Sequence, residues 1–275
     1  MDFLQKLDAA VAKNNSLLCV GLDPDVARLP KAFRDVDSPL FGFSKAIIDA
    51  TADLACAFKP NPAFYESRGA AGIEELKRTC DYIHEKYPDV PVIVDLKRAD
   101  IGNTNQHSAV FAFNYLGADA VTVHPWLGGE ALQPFLDYQD KGIIVLCRTS
   151  NDGAGEFQDL AVDGRPLYLH VAEHVAQKWN ANGNCLLVVG ATYPEEIAKV
   201  RELVGDDMVF LVPGLGAQGG DAEAVIRAGT NAQGRGLIIN SARAILYASS
   251  GDDFAEAARA EAARTRDAIN QYRSS

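Results

Sequence analysis

The stretch PVIVDLKRADIGNTNQHSAVFAFNYLGADAVTVHP, residues 91–125, contains the unit from which this chain is built. Two continuously apolar runs, at 91–96 and 119–125, flank a segment at 103–117 whose apolar residues recur at three- and four-residue spacing. Runs without alternation are typical of parallel strands that are covered on both faces, and the spacing between them is typical of an amphipathic helix. The stretch therefore predicts a strand, a helix and a second parallel strand.

The same succession of apolar run and helical segment recurs along the whole chain. Eight strands are predicted, each followed by a helix, at 17–22, 55–60, 91–96, 119–125, 142–148, 184–190, 208–214 and 235–240. No linker, repeat or low-complexity segment divides them. We therefore expect a single domain over 1–275 with an α/β fold, a (β/α)8 TIM barrel. A doubly wound open sheet is the alternative arrangement of the same units.

The longest irregular segment follows the fifth predicted strand, at about 149–164. Loops of this length often act as lids or binding loops. A plain surface insertion in the domain is the alternative, and the sequence does not choose between the two.

The charge balance limits the partners that this protein can have. The chain carries 26 basic and 37 acidic residues, which gives a formal net charge of -11, and no block of like charges occurs. An acidic surface repels nucleic acid and anionic membranes, so we expect neither as a partner. An anionic small-molecule substrate would need a local cationic site.

The cysteines and the N-terminus indicate a reducing compartment. The five cysteines are odd in number, form no CxxC and lie partly within apolar runs, which is typical of free buried thiols. The N-terminal residues do not resemble a signal peptide, and no apolar run approaches the length of a membrane span. We therefore expect a cytoplasmic protein. No HExxH motif, metal-spaced His/Cys set or GxSxG elbow occurs, so no metal site or serine nucleophile is predicted.

Charged residues stand at the ends of several predicted strands, where barrels of this kind carry their chemistry. Asp95 and Lys97 are two residues apart on the third strand, so their side chains should project to the same side. Asp100 follows at the expected start of the next helix, and Lys59, at the end of the second strand, could balance the two carboxylates. The alternative is that Asp100 caps the helix beside a surface ion pair.

A second group of residues predicts a phosphate site. The Gly-rich loop PGLGAQGGDAE (213–223) follows the seventh strand, and NSARAI (240–245) follows the eighth and supplies Arg243. Barrels often bind phosphate between these two loops. A tight turn is the alternative for the loop. Two further residues have two interpretations each: His124 could touch substrate or bond within the barrel mouth, and Ser150 could bind a ligand or belong to a turn.

The segment VDLKRADIGNT (94–104) resembles the DxKxxD signature of the orotidine 5'-phosphate decarboxylase family. Six other segments resemble the longer bacterial branch of that family, in the same order along the chain: LCVGLDPD (18–25), AFKPNPAFYE (57–66), VTVHPWLG (121–128), VLCRTSN (145–151), VPGLGAQGGD (212–221) and INSARAI (239–245). The sequence departs from this pattern at His124 and Trp126, where Asn and Tyr are usual, and at Leu96 and Ala99. No charged catalytic position is lost.

The resemblance implies an enzyme that converts orotidine 5'-phosphate to uridine 5'-phosphate and carbon dioxide in pyrimidine synthesis. It implies that the enzyme needs no metal or organic cofactor. Lys97 would donate the proton, within a charged network that also includes Asp95, Lys59 and Asp100. The resemblance further implies a homodimer in which Asp100, Ile101 and Thr104 complete the site of the partner.

The same resemblance assigns the substrate contacts. Asp23 and Lys59 would contact the ribose and Ser150 the pyrimidine. Gln218 would bridge pyrimidine and phosphate, and Arg243 would hold the phosphate. Pro213 and Gly219 would also contact the substrate.

Two rival functions are compatible with the barrel. Hexulose-phosphate synthases and keto-gulonate-phosphate decarboxylases share the DxKxxD signature but resemble metal-dependent enzymes, with an acidic residue on the second strand that holds magnesium. Lys59 stands at that position here, and its charge would repel the metal. The other rival is a catalytically silent barrel that binds a nucleotide, and the retention of all four charged residues argues against it.

Overall fold

A computed structural model of the protein describes residues 1–215 and 222–273. Its centre consists of eight parallel strands: β1 (Leu18–Leu22), β2 (Ala57–Pro60), β3 (Ile93–Arg98), β4 (Ala120–Val123), β5 (Gly142–Arg148), β6 (Cys185–Val189), β7 (Phe210–Pro213) and β8 (Leu237–Ser241). Hydrogen bonds join them in the order β2-β1-β8-β7-β6-β5-β4-β3. A bridge between Phe58 and Val92 then joins β2 to β3. The predicted TIM barrel is confirmed, and the alternative of a doubly wound open sheet is wrong.

Helices surround this barrel. The main ones are α1 (Phe3–Asn14), α2 (Pro39–Thr51), α3 (Gly69–Lys86), α4 (Gly102–Ala109), α5 (Gly128–Leu136), α6 (Leu167–His174), α7 (Pro194–Val204), α8 (Ala222–Gly229) and α9 (Phe254–Tyr272). Two π-helical stretches, Val110–Tyr115 and Val175–Trp179, prolong α4 and α6. Short helical segments lie at Val26–Arg28, Lys31–Arg34, Pro62–Glu66, Asp152–Ala154, Gly155–Gln158 and Arg243–Leu246. Within the described ranges, none of the helices combines the length and apolar character needed to cross a bilayer.

The strands are buried on both faces, as their continuous apolar runs predicted. Every residue of β1 and of β6 is buried. One set of side chains fills the barrel, and the other packs under the surrounding helices. All five cysteines are buried and unpaired, which agrees with the prediction of free thiols.

The joint between β2 and β3 has the fewest paired positions of the ring. Phe58 pairs with Val92, and the Phe58 N–H donates to the carbonyl of Pro91 at 3.0 Å. Each other pair of neighbouring barrel strands has two or more paired positions. Lys59 and Asp95 stand on opposite sides of this joint.

Helix α1, which the sequence interpretation missed, closes the N-terminal end of the barrel. It begins with a capping box, in which the Asp2 carboxylate accepts from the Gln5 N–H and the Gln5 side chain accepts from the Asp2 N–H. The Phe3 N–H donates to the carbonyl of Asp140 at 2.9 Å, and the Phe3 ring packs against Gly142 at the start of β5. A Cβ at Gly142 would lie 2.4 Å from this ring, so the absence of a side chain there makes room for α1.

Asp119, which precedes β4, ties α1 to the barrel. Its Oδ2 accepts from Lys6 Nζ at 2.9 Å and from the Val92 N–H at 2.8 Å, and it lies 3.4 Å from His84 Nε2. Burial raises the pKa of Asp119, but the bonds from His84, Lys6 and Val92 outweigh burial and lower the pKa to about 2. The carboxylate is therefore ionised at neutral pH.

Arg201, a buried residue of α7, connects the chain around the starts of β7 and β8. All five guanidinium N–H groups donate to main-chain carbonyls, namely those of Gly205, Met208, Gly229 and Gly236, at 2.6 to 3.1 Å. The guanidinium also lies 4.0 Å from the centre of the Phe210 ring. Burial lowers the pKa of Arg201 to about 10, so the charge persists at neutral pH.

The segment between β5 and α6 has secondary structure of its own. After a 3-10 turn and one turn of helix, Ala161–Val162 pairs in antiparallel fashion with Arg165–Pro166. Most of its side chains are exposed, but both of its ends contact the barrel.

Candidate active site

Three charged side chains meet at the C-terminal end of the barrel. Lys59 Nζ lies 2.9 Å from Asp95 Oδ2, and Lys97 Nζ lies 2.5 Å from the same oxygen. Lys59 and Asp95 are 3% and 7% exposed, whereas the Lys97 side chain is 48% exposed. The structure therefore brings together three of the four charged residues that were predicted to meet, with Lys97 on the solvent side.

Thr122 is a fourth member of this group, and the sequence interpretation missed it. Its hydroxyl donates to Asp95 Oδ1 at 2.7 Å and accepts from the Lys97 N–H at 2.9 Å. It is buried within β4, and a lone hydroxyl in an apolar run gave no clear signal in the sequence. Lys59, Asp95, Lys97 and Thr122 are called the charged cluster below.

The charges of the cluster stabilise one another against burial. Burial raises the pKa of Asp95, but the charges of Lys59 and Lys97 outweigh it and hold the pKa well below its usual range. Burial lowers the pKa of Lys59, but the charges of Asp95 and then Asp23 outweigh it and raise the pKa. Both groups are therefore ionised at neutral pH, and each depends on the other for its charge.

The backbone at Lys97 is unusual for a strand. Its φ is +48°, in the left-handed region, and the pairing of β3 with β4 shifts register between Val94 and Arg98. The predicted two-residue alternation places Asp95 and Lys97 on the same side, as observed, but the chain reaches this arrangement through an irregularity. A left-handed conformation costs a residue with a Cβ about 1 kcal/mol or more, and such strain is concentrated at functional sites.

Asp100, Ile101 and Thr104 lie at the junction between β3 and α4. All three residues are exposed, and within the described ranges no cationic side chain lies within 4 Å of the Asp100 carboxylate. Helix α4 begins after Ile101, and Asp100 Oδ1 accepts from the Ile101 N–H at 2.7 Å, so Asp100 does not cap the helix. Asn105 is buried and fixes the loop through its bonds to Asp100 and to the carbonyl of Ala131.

Four of the predicted substrate contacts line one cavity of about 310 Å3. They are Asp23, Ser150, Pro213 and Arg243, and Asn240 lies beside them. Asp23 Oδ1 and Asn240 Oδ1 are buried and have no hydrogen-bond partner in the described chain. This space is called the mouth cavity, and its unpaired buried oxygens are suited to a ligand that donates hydrogen bonds.

Asp23 connects the mouth cavity with the charged cluster electrostatically. Burial raises the pKa of Asp23, and the charge of Lys59 offsets part of this effect. The charges of Asp95, Lys97 and Arg243 also act on it. Arg243 itself is exposed, and in the parts of the chain that the structure describes no carboxylate lies within 4 Å of it. It therefore offers a free cation to an anionic ligand.

Ser150 reaches the mouth cavity from the end of β5. Gly190 packs directly against it, since a Cβ on Gly190 would lie 2.7 Å from the Cβ of Ser150. His124 lies elsewhere: it lines a separate, mostly apolar cavity of about 320 Å3 together with Trp126, Tyr168 and Trp179. Its Nδ1 is buried without a partner in the described residues, so its role stays open.

Gln218 and Gly219, which were predicted to contact the substrate, lie outside the described residues, as does most of the Gly-rich loop. Within 1–215 and 222–273, no three His, Cys, Asp or Glu side chains are grouped as metal ligands would be.

Comparison with known proteins gives a consistent result. Residues 16–260 match the model of the orotidine 5'-phosphate decarboxylase / HUMPS family. The orotidine 5'-phosphate decarboxylase of Ralstonia pickettii is 58% identical over 99% of this chain and 100% of its own length. That of Cellvibrio japonicus is 54% identical, again over 99% of this chain and its own full length. The OMP decarboxylase structure of Leishmania donovani superposes with a TM-score of 0.86 at 38% identity, covering 99% of each chain.

Proposed function

Since this chain belongs to the orotidine 5'-phosphate decarboxylase / HUMPS family, we propose that it converts orotidine 5'-phosphate to uridine 5'-phosphate and carbon dioxide, a step of pyrimidine synthesis. It is a carboxy-lyase, as the names of its full-length relatives indicate. The observation that carries the proposal is the charged cluster beside a cavity lined by Asp23, Ser150 and Arg243. This arrangement combines a proton donor with groups suited to a phosphorylated nucleoside.

The chemical difficulty of this reaction lies in the carbanion that it creates. When the carboxylate leaves as carbon dioxide, its bonding electrons stay on the ring carbon, and no adjacent carbonyl delocalises them. Fixed charge must stabilise this anion. The Lys97 ammonium is held against Asp95 at 2.5 Å and supplies this charge, and it then transfers a proton to the ring carbon. The Lys97 side chain is 48% exposed, so solvent can return the proton.

Asp95 and Lys59, which are buried beneath Lys97, support this proton transfer. Asp95 stays ionised and holds the Lys97 ammonium in place, while Lys59 neutralises part of its charge. In the proposed complex Asp95 also faces the substrate carboxylate, where like charge would favour the loss of carbon dioxide. No metal or organic cofactor takes part in the proposed mechanism.

The remaining contacts divide the substrate among them. Asp23, whose Oδ1 has no partner in the described chain, would accept a hydrogen bond from a ribose hydroxyl, and Lys59 would donate one to the ribose. Ser150 would bond the pyrimidine, and Arg243 would bind the phosphate. Gln218, Gly219 and Pro213 complete the proposed contacts. Phosphate is remote from the reacting carbon, so its binding energy can serve to order loops over the substrate.

The geometry also favours this reaction over the metal-dependent chemistry of related barrels. Lys59 Nζ lies 2.9 Å from Asp95 Oδ2, beside the carboxylate that a magnesium ion would need. The ammonium would repel a divalent cation at this distance. The family name covers both kinds of enzyme, and this contact supports the metal-free orotidine 5'-phosphate decarboxylase.

We propose further that the protein works as a cytoplasmic homodimer. The exposed Asp100, with no cation near it in the described chain, would join the charged cluster of the partner subunit. Ile101, which is 60% exposed, and Thr104 would accompany it. In this proposal residues 1–275 form one domain, and 149–164 is a loop insertion.

The first experiment is decarboxylation of orotidine 5'-phosphate by the purified protein, followed by ultraviolet absorbance with and without a strong chelator. We expect rapid loss of substrate that the chelator does not change. Turnover that depends on added magnesium would indicate the metal-dependent branch instead. Binding of uridine 5'-phosphate without turnover would indicate a silent barrel.

The shared site has its own test, in which Lys97→Ala and Asp100→Ala proteins are mixed and allowed to exchange subunits. Each variant alone should be inactive. Half of a random mixture is hybrid dimers, and each hybrid has one intact site, so about a quarter of wild-type activity should return. If no activity returns although subunits exchange, Asp100 acts within its own subunit.

A further inference from the structure

Arg148, the last residue of β5, forms a buried junction that the proposed mechanism does not use. The residue is 4% exposed. Its Nε lies 3.1 Å from Asp159 Oδ1 and 3.0 Å from Glu196 Oε2, and its Nη2 donates to Asp159 Oδ2 at 3.1 Å. The guanidinium also stands 5.5 Å from the centre of the Tyr193 ring. One arginine thus joins three parts of the chain: β5, the 149–164 segment and the start of α7.

A second set of bonds closes the 149–164 segment upon itself. The Thr149 N–H donates to Gln158 Oε1 at 2.8 Å, and Gln158 Nε2 donates to the Thr149 hydroxyl at 2.9 Å. Arg148 Nη1 also donates to the carbonyl of Thr149 at 3.0 Å. Residues 149–159 are therefore tied into a closed loop through Gln158 and Asp159. A loop tied in this way is unsuited to swing as a lid, which was one interpretation of the sequence.

Ser150 is the residue that these bonds immobilise. The Gly190 N–H donates to the carbonyl of Arg148 at 2.8 Å, and the Thr192 hydroxyl donates to the carbonyl of Ser150 at 3.2 Å. Gly190, without a side chain, lets the main chain of Ser150 approach β6 closely. Ser150 is thus held from the side of β6 by these contacts and from the other side by Arg148 and Thr149.

We propose that Arg148, through its ion pairs with Asp159 and Glu196, is a positioning residue that fixes Ser150 for recognition of the pyrimidine ring. The inference rests on the proposed function, which assigns Ser150 to the pyrimidine. Arg148 lines neither the mouth cavity nor the charged cluster, so its effect on substrate passes through Ser150 alone. An arginine suits this role because its rigid fork donates to Asp159 and to the Thr149 carbonyl in fixed directions while its charge lies beside Glu196.

The test compares two ligands that differ by the pyrimidine: uridine 5'-phosphate and ribose 5-phosphate. In Arg148→Met and Asp159→Asn, uridine 5'-phosphate should bind roughly tenfold more weakly, because one hydrogen bond is misplaced. Binding of ribose 5-phosphate should change less than twofold. The KM for orotidine 5'-phosphate should rise together with the loss of uridine 5'-phosphate binding. Asp159→Asn removes a partly exposed carboxylate, so it provides the test even if Arg148→Met does not fold.

The matched control is Glu173→Gln. Glu173 lies on α6, and its Oε2 is 2.8 Å from Arg165 Nη2. This change neutralises a carboxylate that is paired with an arginine but contacts neither Thr149 nor Ser150. It should leave both ligands unaffected. A double-mutant cycle with Ser150→Ala then isolates the pathway. If Arg148 acts through Ser150, Arg148→Met should add less than twofold to the loss already caused by Ser150→Ala.

Three outcomes would overturn the proposal: unchanged uridine 5'-phosphate binding in both Arg148→Met and Asp159→Asn, equal weakening of the binding of both ligands, or multiplicative effects in the double-mutant cycle. The experiment also separates the two levels of inference. If Ser150→Ala leaves uridine 5'-phosphate binding unchanged, the assignment of Ser150 to the pyrimidine fails, and the role of Arg148 fails with it. If Ser150→Ala weakens uridine 5'-phosphate binding but Arg148→Met and Asp159→Asn do not, only the role of Arg148 is wrong.

Discussion

Replacing Lys97 by alanine and by glycine separates what its side chain does from what its backbone costs. The φ of +48° strains any residue with a Cβ, and glycine relieves this strain. Both variants lose the contact with Asp95, but this carboxylate keeps Lys59 at 2.9 Å and the Thr122 hydroxyl at 2.7 Å. Both variants should therefore fold.

The magnitudes follow from the local geometry. The left-handed conformation costs alanine about 1 kcal/mol relative to glycine. The lost ion pair contributes at most about 1 kcal/mol to stability, because the Lys97 side chain is half exposed. We thus expect Lys97→Ala to be less stable than wild type by at most about 1 kcal/mol, and Lys97→Gly to be about 1 kcal/mol more stable than Lys97→Ala. In an ordinary strand the order of alanine and glycine would be the reverse.

Urea unfolding at pH 7 measures the stabilities, and decarboxylation of orotidine 5'-phosphate measures the activities. Loss of the proton donor should lower kcat by roughly 100- to 10,000-fold in both variants. Lys97→Ala as stable as Lys97→Gly would refute the left-handed backbone. Activity within tenfold of wild type in either variant would refute the role as proton donor.

Three other changes test separate parts of the structure. Thr122→Val removes the hydroxyl that orients Asp95 and should lower kcat by about tenfold with little change in KM, and unchanged steady-state kinetics would contradict this. Asp119→Asn should destabilise the protein by about 2 kcal/mol at pH 6, because the wild-type pKa of about 2 lies below the usual value for an aspartate. The difference in the free energy of unfolding between the variant and wild type, measured with urea, should vanish as the pH falls from 4 to 2. A difference that persists at pH 2 would contradict this linkage. Arg201→Met removes five hydrogen bonds to four carbonyls, of which that of Gly236 keeps the Phe210 N–H, and should cost about 3 to 5 kcal/mol. The exposed Arg264→Met should cost less than about 0.5 kcal/mol, so equal melting temperatures would be the contrary result.

Much of the fold could be predicted from the sequence because its signal is repeated eight times. Each predicted strand was found, although β2 begins at Ala57 where 55 was expected and β4 spans only Ala120–Val123. Apolar character continues past the hydrogen-bonded part of a strand, so it cannot mark the ends. The π-helical stretches are also invisible to a search for helical periodicity. Helix α1 could have been found from the capping box at Asp2 and Gln5.

The candidate site was predictable where it depends on charge. Lys59, Asp95 and Lys97 stand out at strand ends, since a buried charge needs partners. Thr122 and Asn240 do not, because a hydroxyl or an amide in a strand occurs equally often for packing or turns. The left-handed backbone of Lys97 has no signal in residue type. The function proposed for Asp100 depends on a second chain, so one sequence read alone gives it only through resemblance.

The sparse joint between β2 and β3 has a consequence for local opening. The ion pair between Lys59 and Asp95 spans the joint where the ring has its fewest paired positions. A fluctuation that parts these strands needs less free energy than global unfolding, and it separates the two residues that support the proposed proton donor. The ion pair between Lys59 and Asp95 thus also holds β2 and β3 together, and we expect activity only while the ring of strands is closed. In rising urea, decarboxylation should therefore fail at concentrations where the rest of the barrel is still folded.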